Sequence, residues 1–269
     1  MYVQFLVQTK TVSLLLSFSM KTVLIGSGNV AGHLARAFRQ NGLEINQIFG
    51  RNCTALREIS SELAIPYSCE ELAAADLYVI CVSDNAIAEV SALITNPNCL
   101  VAHTSGSLPK EILQGAYRKA CFYPMQTFSR NKPLNYQEIP FFIEAENPAD
   151  EQILFGMAGQ ISNRVLKADY EKRKYIHLTA VFSCNFVNHL FARAKEIADA
   201  EEIPFEYFRP LIAETFEKLK TMEPVDAQTG PAVRNDTRVL ELHEQLISNP
   251  ETRQIYQVMN ESIKKMYEL

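Results

Sequence analysis

The chain has 269 residues, 47% of them hydrophobic and 21% charged, with no Trp. That composition can bury one large α/β core or two modest ones, and it excludes disorder, fibrous repeats and a disulfide-stapled miniprotein. A net charge of −5, with no basic run longer than Lys172-Arg173-Lys174, argues against nucleic acid or an anionic membrane surface as partner and points to a small molecule.

The first 19 residues carry a short apolar stretch, but Lys10 alone makes a poor positive region and no small-residue cleavage pattern follows. Met20 therefore reads as the natural start, with 1–19 as an extra segment. No apolar run reaches the roughly 18 to 20 residues of a membrane span. From Lys21 onward, short apolar runs at 22–25, 45–50, 77–82, 100–103, 120–122, 141–145 and 164–167 predict strands. Helical patterns at 30–41, 54–63, 87–93, 109–116 and 148–162 separate them. This alternation is the signature of a parallel sheet built from βαβ units. Past Tyr170 the strand signal stops, and helices are expected at 171–200, 205–220, 237–248 and 251–267. The fold class is thus α/β, a Rossmann-like, doubly wound, mostly parallel sheet over 20–169, followed by an all-α domain over 170–269.

The first strand runs into Gly26-Ser27-Gly28-Asn29-Val30-Ala31-Gly32, a Gly-x-Gly-x-x-Ala spacing that opens a helix. Gly26 permits the tight turn, Gly28 lets a pyrophosphate approach the backbone, and Ala31 lets helix and sheet close. The phosphates would rest on the helix N-terminus. At the tip of the second strand, where an NAD site places Asp or Glu, stand Arg51 and Asn52, which suit a 2′-phosphate; NADP is favoured and NAD disfavoured. The blander reading of Arg51 is an exposed surface cation. Ser83 and Asp84 follow the third long strand and would either touch ribose or nicotinamide or cap the next helix.

The next tip delivers His103-Thr104-Ser105-Gly106-Ser107 and then Pro109. Ser107 is placed to cap a helix with Pro109 in its first turn, while His103 and Ser105 either meet substrate or order the loop. Tyr123-Pro124-Met125-Gln126-Thr127-Phe128 would wall a nicotinamide pocket, with Gln126 toward substrate, or lie as an apolar lid over the sheet edge. On the helix 171–200, read as a buried central helix, a regular 100° per residue brings His177, Cys184 and Asn188 together with Asn185 adjoining. That stripe is either a satisfied structural feature or the reacting face. Arg234, in the loop from Thr229 to Thr237, either pairs with Asp236 or forms an anion-binding arm. The six cysteines, at 53, 69, 81, 99, 121 and 184, include no Cys-x-x-Cys pair and do not cluster with histidine, so no metal site is expected. Cys81 and Cys121 read as reduced core thiols, which favours a cytoplasmic address.

On the segments Gly26 to Gly32, His103 to Pro109, Phe122 to Phe128 and Thr229 to His243, the chain resembles an uncharacterised bacterial family. In that family a Rossmann-like NADP-binding domain precedes a helical domain of unknown function. The resemblance covers nearly everything from Met20 on. Its architecture is similar to that of pyrroline-5-carboxylate reductase, prephenate dehydrogenase, the deazaflavin-linked NADP oxidoreductases and the β-hydroxyacid dehydrogenases. It implies a nicotinamide at the sheet's carboxyl edge against the helical domain, and a homodimer through the C-terminal helices. The Lys-x-x-x-Asn pair of the β-hydroxyacid dehydrogenases is absent, since Leu178 follows Lys174 by four and Val181 follows His177 by four. Tyr123 stands where prephenate dehydrogenases carry a His before Pro-Met.

Together these residues lead to the expectation of an NADP-dependent oxidoreductase that reduces a small polar C=O or C=N compound. His177 or Tyr123 would donate the proton, Asn185 and Asn188 would orient the reacting group, and Arg234 would hold a substrate anion. The alternative from another class is a catalytically silent NADP(H)-binding sensor or interaction protein.

Overall fold

The computed structural model describes residues 20–269, so the expected extra segment 1–19 lies outside the described residues. The chain divides into two units, one ending at Val181 and one running from Phe182 to Leu269.

The first unit is an eight-stranded sheet in the order β3-β2-β1-β4-β5-β6-β7-β8. Its strands are β1 (Thr22–Ile25), β2 (Gln47–Phe49), β3 (Tyr67–Ser68), β4 (Leu77–Ile80), β5 (Leu100–His103), β6 (Arg118–Pro124), β7 (Phe141–Ala145) and β8 (Val165–Lys167). Every pairing is parallel except β6 with β7. The apolar runs are continuous because both faces are covered. Along β1, Leu24 enters one core cluster with Leu34 and Phe38 of α1 (Asn29–Gln40) and Leu56 of α2 (Cys53–Leu63). Val23 and Ile25 enter the opposite cluster with Ile87 of α3 (Ile87–Ser91). A side-chain period of two therefore puts Val23, Leu24 and Ile25 alternately in the two cores, as a doubly covered parallel sheet demands.

The chain leaves β1 toward β2 on one side and reaches β4 on the other. The crevice at the carboxyl ends of β1 and β4 is the switch point where open α/β sheets take ligands.

The helix expected at 109–116 is corrected to a short 3₁₀ turn, Lys110–Ile112, with Pro109 at its N-cap position. Leu113 is already extended after it, and the Gln114 N–H turns to Ser91 Oγ. Ser107 therefore caps no helix. The expected 148–162 helix is α4 (Pro148–Ile161), capped by the Asn147 side chain.

Helix α5 (Tyr170–Ala180), a π turn (Val181–Phe186) and α6 (Val187–Ala200) occupy the stretch read as one buried helix. That reading is corrected: Tyr175, Leu178, Phe182 and Phe186 are exposed. The angular argument that aligned His177 with Cys184 and Asn188 fails as well, because a π turn inserts an i→i+5 spacing into the 3.6-residue period.

In the second unit, α6 is followed by a 3₁₀ turn (Phe205–Phe208), α7 (Arg209–Lys218), α8 (Pro224–Ala227), α9 (Thr237–Leu246) and α10 (Pro250–Met266). Asp236 caps α9 through Val239 N–H, and Asn249 caps α10 through Glu251 and Thr252 N–H. His243 Nδ1 lies 3.0 Å from the Tyr256 hydroxyl, tying α9 to α10. Among the described residues no helix is long and apolar enough to cross a membrane.

Candidate functional site

The glycine-rich turn has an open backbone, free of side chains at Gly26 and Gly28. Gly26 has φ +140°, and a Cβ there would fall on the Cys81 carbonyl, so only glycine fits where β1 passes β4. Gly28 is the N-cap residue of α1, no side chain caps that helix, and a Cβ on Gly28 would meet nothing within 4 Å. The first amides of α1 are thus left for an external anion. Ala31 is fully buried against the sheet. These features fit a dinucleotide, with Gly26, Ser27, Gly28, Asn29 and Val30 as the residues that would hold its pyrophosphate. The Asn29 side chain is engaged elsewhere, donating from Nδ2 to the Phe128 carbonyl at 2.8 Å. Phe128 in turn lies against His33 of α1, with ring centroids 5.1 Å apart.

Arg51 and Asn52 leave the carboxyl end of β2. Arg51 is exposed and makes no ion pair among the described residues. Asn52 is the N-cap of α2, its Oδ1 accepting from the Ala55 N–H at 3.1 Å. Cys53 follows it and is joined to Cys69, just past β3, in a disulfide with Cα atoms 5.8 Å apart. No Cys-x-x-Cys spacing marks that pair in the sequence.

The tips of β4 and β5 are tied together. Ser107 Oγ donates to Asp84 Oδ2 at 2.7 Å, and the side chain of Ser83 makes no cap bond to the 3₁₀ turn it precedes. His103 is fully buried, and its Nδ1 accepts from the Ser105 N–H at 3.1 Å. Burial, reinforced by the charge of Arg173, pushes its pKa down to about 4, so the ring is neutral near pH 7. Ser105 is buried too, and its Oγ accepts from the Ser107 N–H. Both residues are engaged in ordering the loop that carries Gly106.

Over Gly106 the structure brings together two side chains 54 residues apart. The Tyr123 hydroxyl, at the carboxyl end of β6, lies 3.3 Å from Nδ1 of His177 on α5. A Cβ on Gly106 would stand 2.7 Å from Tyr123 Cζ and 2.9 Å from His177 Nδ1. Burial pushes the Tyr123 phenol up to about 12, so it carries its proton throughout the physiological range. Cys121, two residues earlier on β6, is buried and likewise pushed up to about 12, as is Cys81. They are inert thiols.

Arg173, one turn before His177, holds α5 in place. It is fully buried, donating from Nη1 to Glu144 of β7 at 2.5 Å and from Nη2 to the Leu108 carbonyl at 2.6 Å. Lys110 Nζ takes the other Glu144 oxygen at 2.9 Å. A buried guanidinium with a carboxylate partner is costly to break, so this cluster fixes where α5 docks. Nothing in the spacing of Arg173 along the sequence distinguishes it from a surface Arg.

The remaining candidates are placed as follows. Gln126 is exposed, its Oε1 accepting from the Thr127 N–H. Asn185 lies in the π turn and Asn188 on α6, both exposed in the second unit. Arg234 is exposed in the same unit, in a loop turned by Gly230 at φ +118° and Asn235 at φ +50°. It makes no ion pair with Asp236, which is occupied as the α9 cap.

A family model described as "NADP oxidoreductase coenzyme F420-dependent" matches residues 21–103, and one described as a domain of unknown function, DUF2520, matches 139–263. A Bacteroides fragilis protein assigned as an NADP oxidoreductase is 38% identical, with a TM-score of 0.87, over 93% of this chain and 98% of its own. A reductive aminase from Aspergillus terreus, in complex with NADPH and ethyl-5-oxohexanoate, is similar in fold at 14% identity and a TM-score of 0.67, over 92% of this chain and 94% of its own. A 1-pyrroline-5-carboxylate reductase from Streptococcus pyogenes is similar in fold at 16% identity and a TM-score of 0.62, over 93% of this chain and 99% of its own. No curated protein matches the chain.

Proposed function

The chain belongs to the NADP oxidoreductase family of the Bacteroides fragilis protein, and from that premise we propose that it reduces a small polar C=O or C=N compound with NADPH. The observation that carries the reading is the Tyr123 and His177 pair, 3.3 Å apart above Gly106. When bound, the coenzyme supplies the hydride.

The chain's own residues divide the rest of the work. Gly26 to Val30 and the amides of α1 hold the pyrophosphate, while Arg51 and Asn52 hold the 2′-phosphate. Ser83 and Asp84 border the ribose and nicotinamide. The Tyr123 phenol, protonated because burial pushes it to about 12, donates to the oxygen or nitrogen that gains negative charge as hydride arrives. His177 Nδ1, at hydrogen-bond distance, returns a proton to Tyr123 and connects it to solvent. His103 and Ser105 shape the loop beneath the pair, and Gln126 borders the substrate. Asn185, Asn188 and Arg234 belong to the helical part and would orient the substrate and hold its anion.

We place the dinucleotide-binding domain at 20–169 and the helical domain at 170–269. The helical domain pairs two chains, a reading supported by the exposed Tyr175, Leu178, Phe182 and Phe186. The likeness in fold to the reductive aminase and the pyrroline-5-carboxylate reductase makes ketones, imines and cyclic imines the first compounds to assay.

NADPH absorbance across such a panel, on the native chain and on Tyr123→Phe, tests the proposal. The variant keeps its NADPH affinity within a few-fold and loses about 10² to 10⁴ in turnover, the usual weight of a general acid. Full turnover in folded Tyr123→Phe refutes the assignment of Tyr123. Tight NADPH binding with no turnover of any carbonyl or imine refutes the reductase reading and leaves the sensor.

A further inference from the structure

Cys53 directly follows the loop proposed to take the 2′-phosphate, and Cys69 follows Ser68, whose carbonyl accepts from the Gly50 N–H at the start of that loop. Cys53 is the first residue of α2, two residues after Arg51 and directly after the N-cap Asn52. It is exposed, and the first turn of α2 contains no acidic residue. The positive end of the helix therefore favours an anionic sulfur there. Cys69 follows β3, whose two residues pair with β2 at Ile48 with Tyr67 and Phe49 with Ser68. The Cα separation of 5.8 Å lies within the span that a disulfide bridges without backbone movement, and the two sulfurs are joined.

From this placement we infer that Cys53 and Cys69 form a thiol–disulfide exchange site for low-molecular-weight disulfides, coupled to the coenzyme site beside it. The Cys53 thiolate attacks a disulfide RSSR, forming a Cys53–SR bond and expelling RS⁻. The Cys69 thiolate then attacks Cys53 Sγ, forming the Cys53–Cys69 bond and expelling the second RS⁻. Two cysteine thiols are oxidised, one RSSR is reduced to two RSH, and the two cysteine protons end on the released thiols. The product bond ties the β2–α2 turn to the end of the two-residue edge strand. Arg51 and Asn52 are then held in place before coenzyme arrives, which lowers the ordering cost of binding. By linkage, bound NADPH protects the disulfide from reduction by the same factor.

The coupling rests on Arg51 receiving the 2′-phosphate, whereas the exchange chemistry does not. The full chain is reduced with dithiothreitol, treated with oxidised glutathione, alkylated and read by mass spectrometry, and NADPH and NADH dissociation constants are measured in both states. The native chain should end with Cys53 and Cys69 joined and unalkylated, and Cys69→Ser should stop as a glutathione adduct on Cys53. The oxidised chain should bind NADPH about three- to tenfold tighter than the reduced one, with a smaller change for NADH and none in Cys69→Ser. Alkylation of both cysteines after oxidant overturns the site. A disulfide that forms but leaves NADPH affinity unchanged overturns the coupling. If Arg51→Ala also leaves NADPH affinity unchanged, the 2′-phosphate reading fails with it, while adduct formation at Cys53 is judged separately.

Discussion

Replacing Gly106 by Ala perturbs the Tyr123 and His177 pair without removing a single reacting atom. The added Cβ would sit 2.7 Å from Tyr123 Cζ, 2.9 Å from His177 Nδ1 and 3.0 Å from His177 Cβ. Ordinary contact begins near 3.5 Å, so the two rings must move away by about 0.5 to 0.8 Å. Neither can do so freely: Tyr123 is a buried strand residue stacked on Phe142, and α5 is held by buried Arg173. Overpacking of this kind costs about 1 to 3 kcal/mol, and at roughly 2 to 4 °C per kcal/mol for a chain of this size the melting temperature should fall by several degrees. The hydrogen bond, already at 3.3 Å, should open, and a misplacement approaching 1 Å costs on the order of 10²-fold in turnover. The Gly26 to Val30 loop is untouched, so NADPH affinity should stay within a few-fold. Calorimetry, coenzyme titration and steady-state rates on one preparation check all three. A Gly106→Ala chain that melts with the wild type and turns over at full rate would refute the reasoning.

Arg51→Ala should weaken NADPH by at least about tenfold and leave NADH nearly unchanged, since one charge-assisted contact is worth about 1.5 to 3 kcal/mol; equal losses for both coenzymes would count against a 2′-phosphate contact. His103 gives a pH signature. Its folded pKa of about 4 lies below the roughly 6.5 of a free imidazole, so the unfolded chain takes up the proton first and stability is lost as pH falls from about 6.5 toward 4. His103→Asn keeps an acceptor for the Ser105 N–H, and its melting temperature should decline less steeply across that window; parallel curves would remove His103 as the cause. Light scattering at micromolar concentration should report a dimer for the native chain and a monomer for Phe182→Glu, and a native monomer would contradict the pairing.

Most of the sheet could be read from the chain because a doubly covered strand writes its burial as an unbroken apolar run, as 23–25, 77–80 and 100–102 do. β3 escaped because two residues cannot show a period, and the 109–116 helix was an error of patterning that the early extension at Leu113 exposes. The glycine turn was legible through steric demands local to a few residues. Tyr123 and His177 each stand out in the sequence, but their meeting depends on how α5 docks on β6, which no window of sequence contains. The anchor of that docking, Arg173, is invisible for the same reason. The stripe joining His177 to Cys184 and Asn188 assumed regular turns, and a π turn lies between.

The docking of α5 has a consequence in lengths. Arg173 grips Glu144, which is opposite Cys121 in the sheet, while His177 reaches Tyr123. Four residues of helix advance about 6.0 Å, and two residues of strand advance about 6.6 Å. One turn of α5 therefore measures the same interval as the step from Cys121 to Tyr123 on β6. The number of residues between Arg173 and His177 matters as much as their identities. Inserting one residue there would swing the imidazole about 100° around the helix while the guanidinium stayed in its socket, and a chain with every reacting group present would leave Tyr123 without its proton relay.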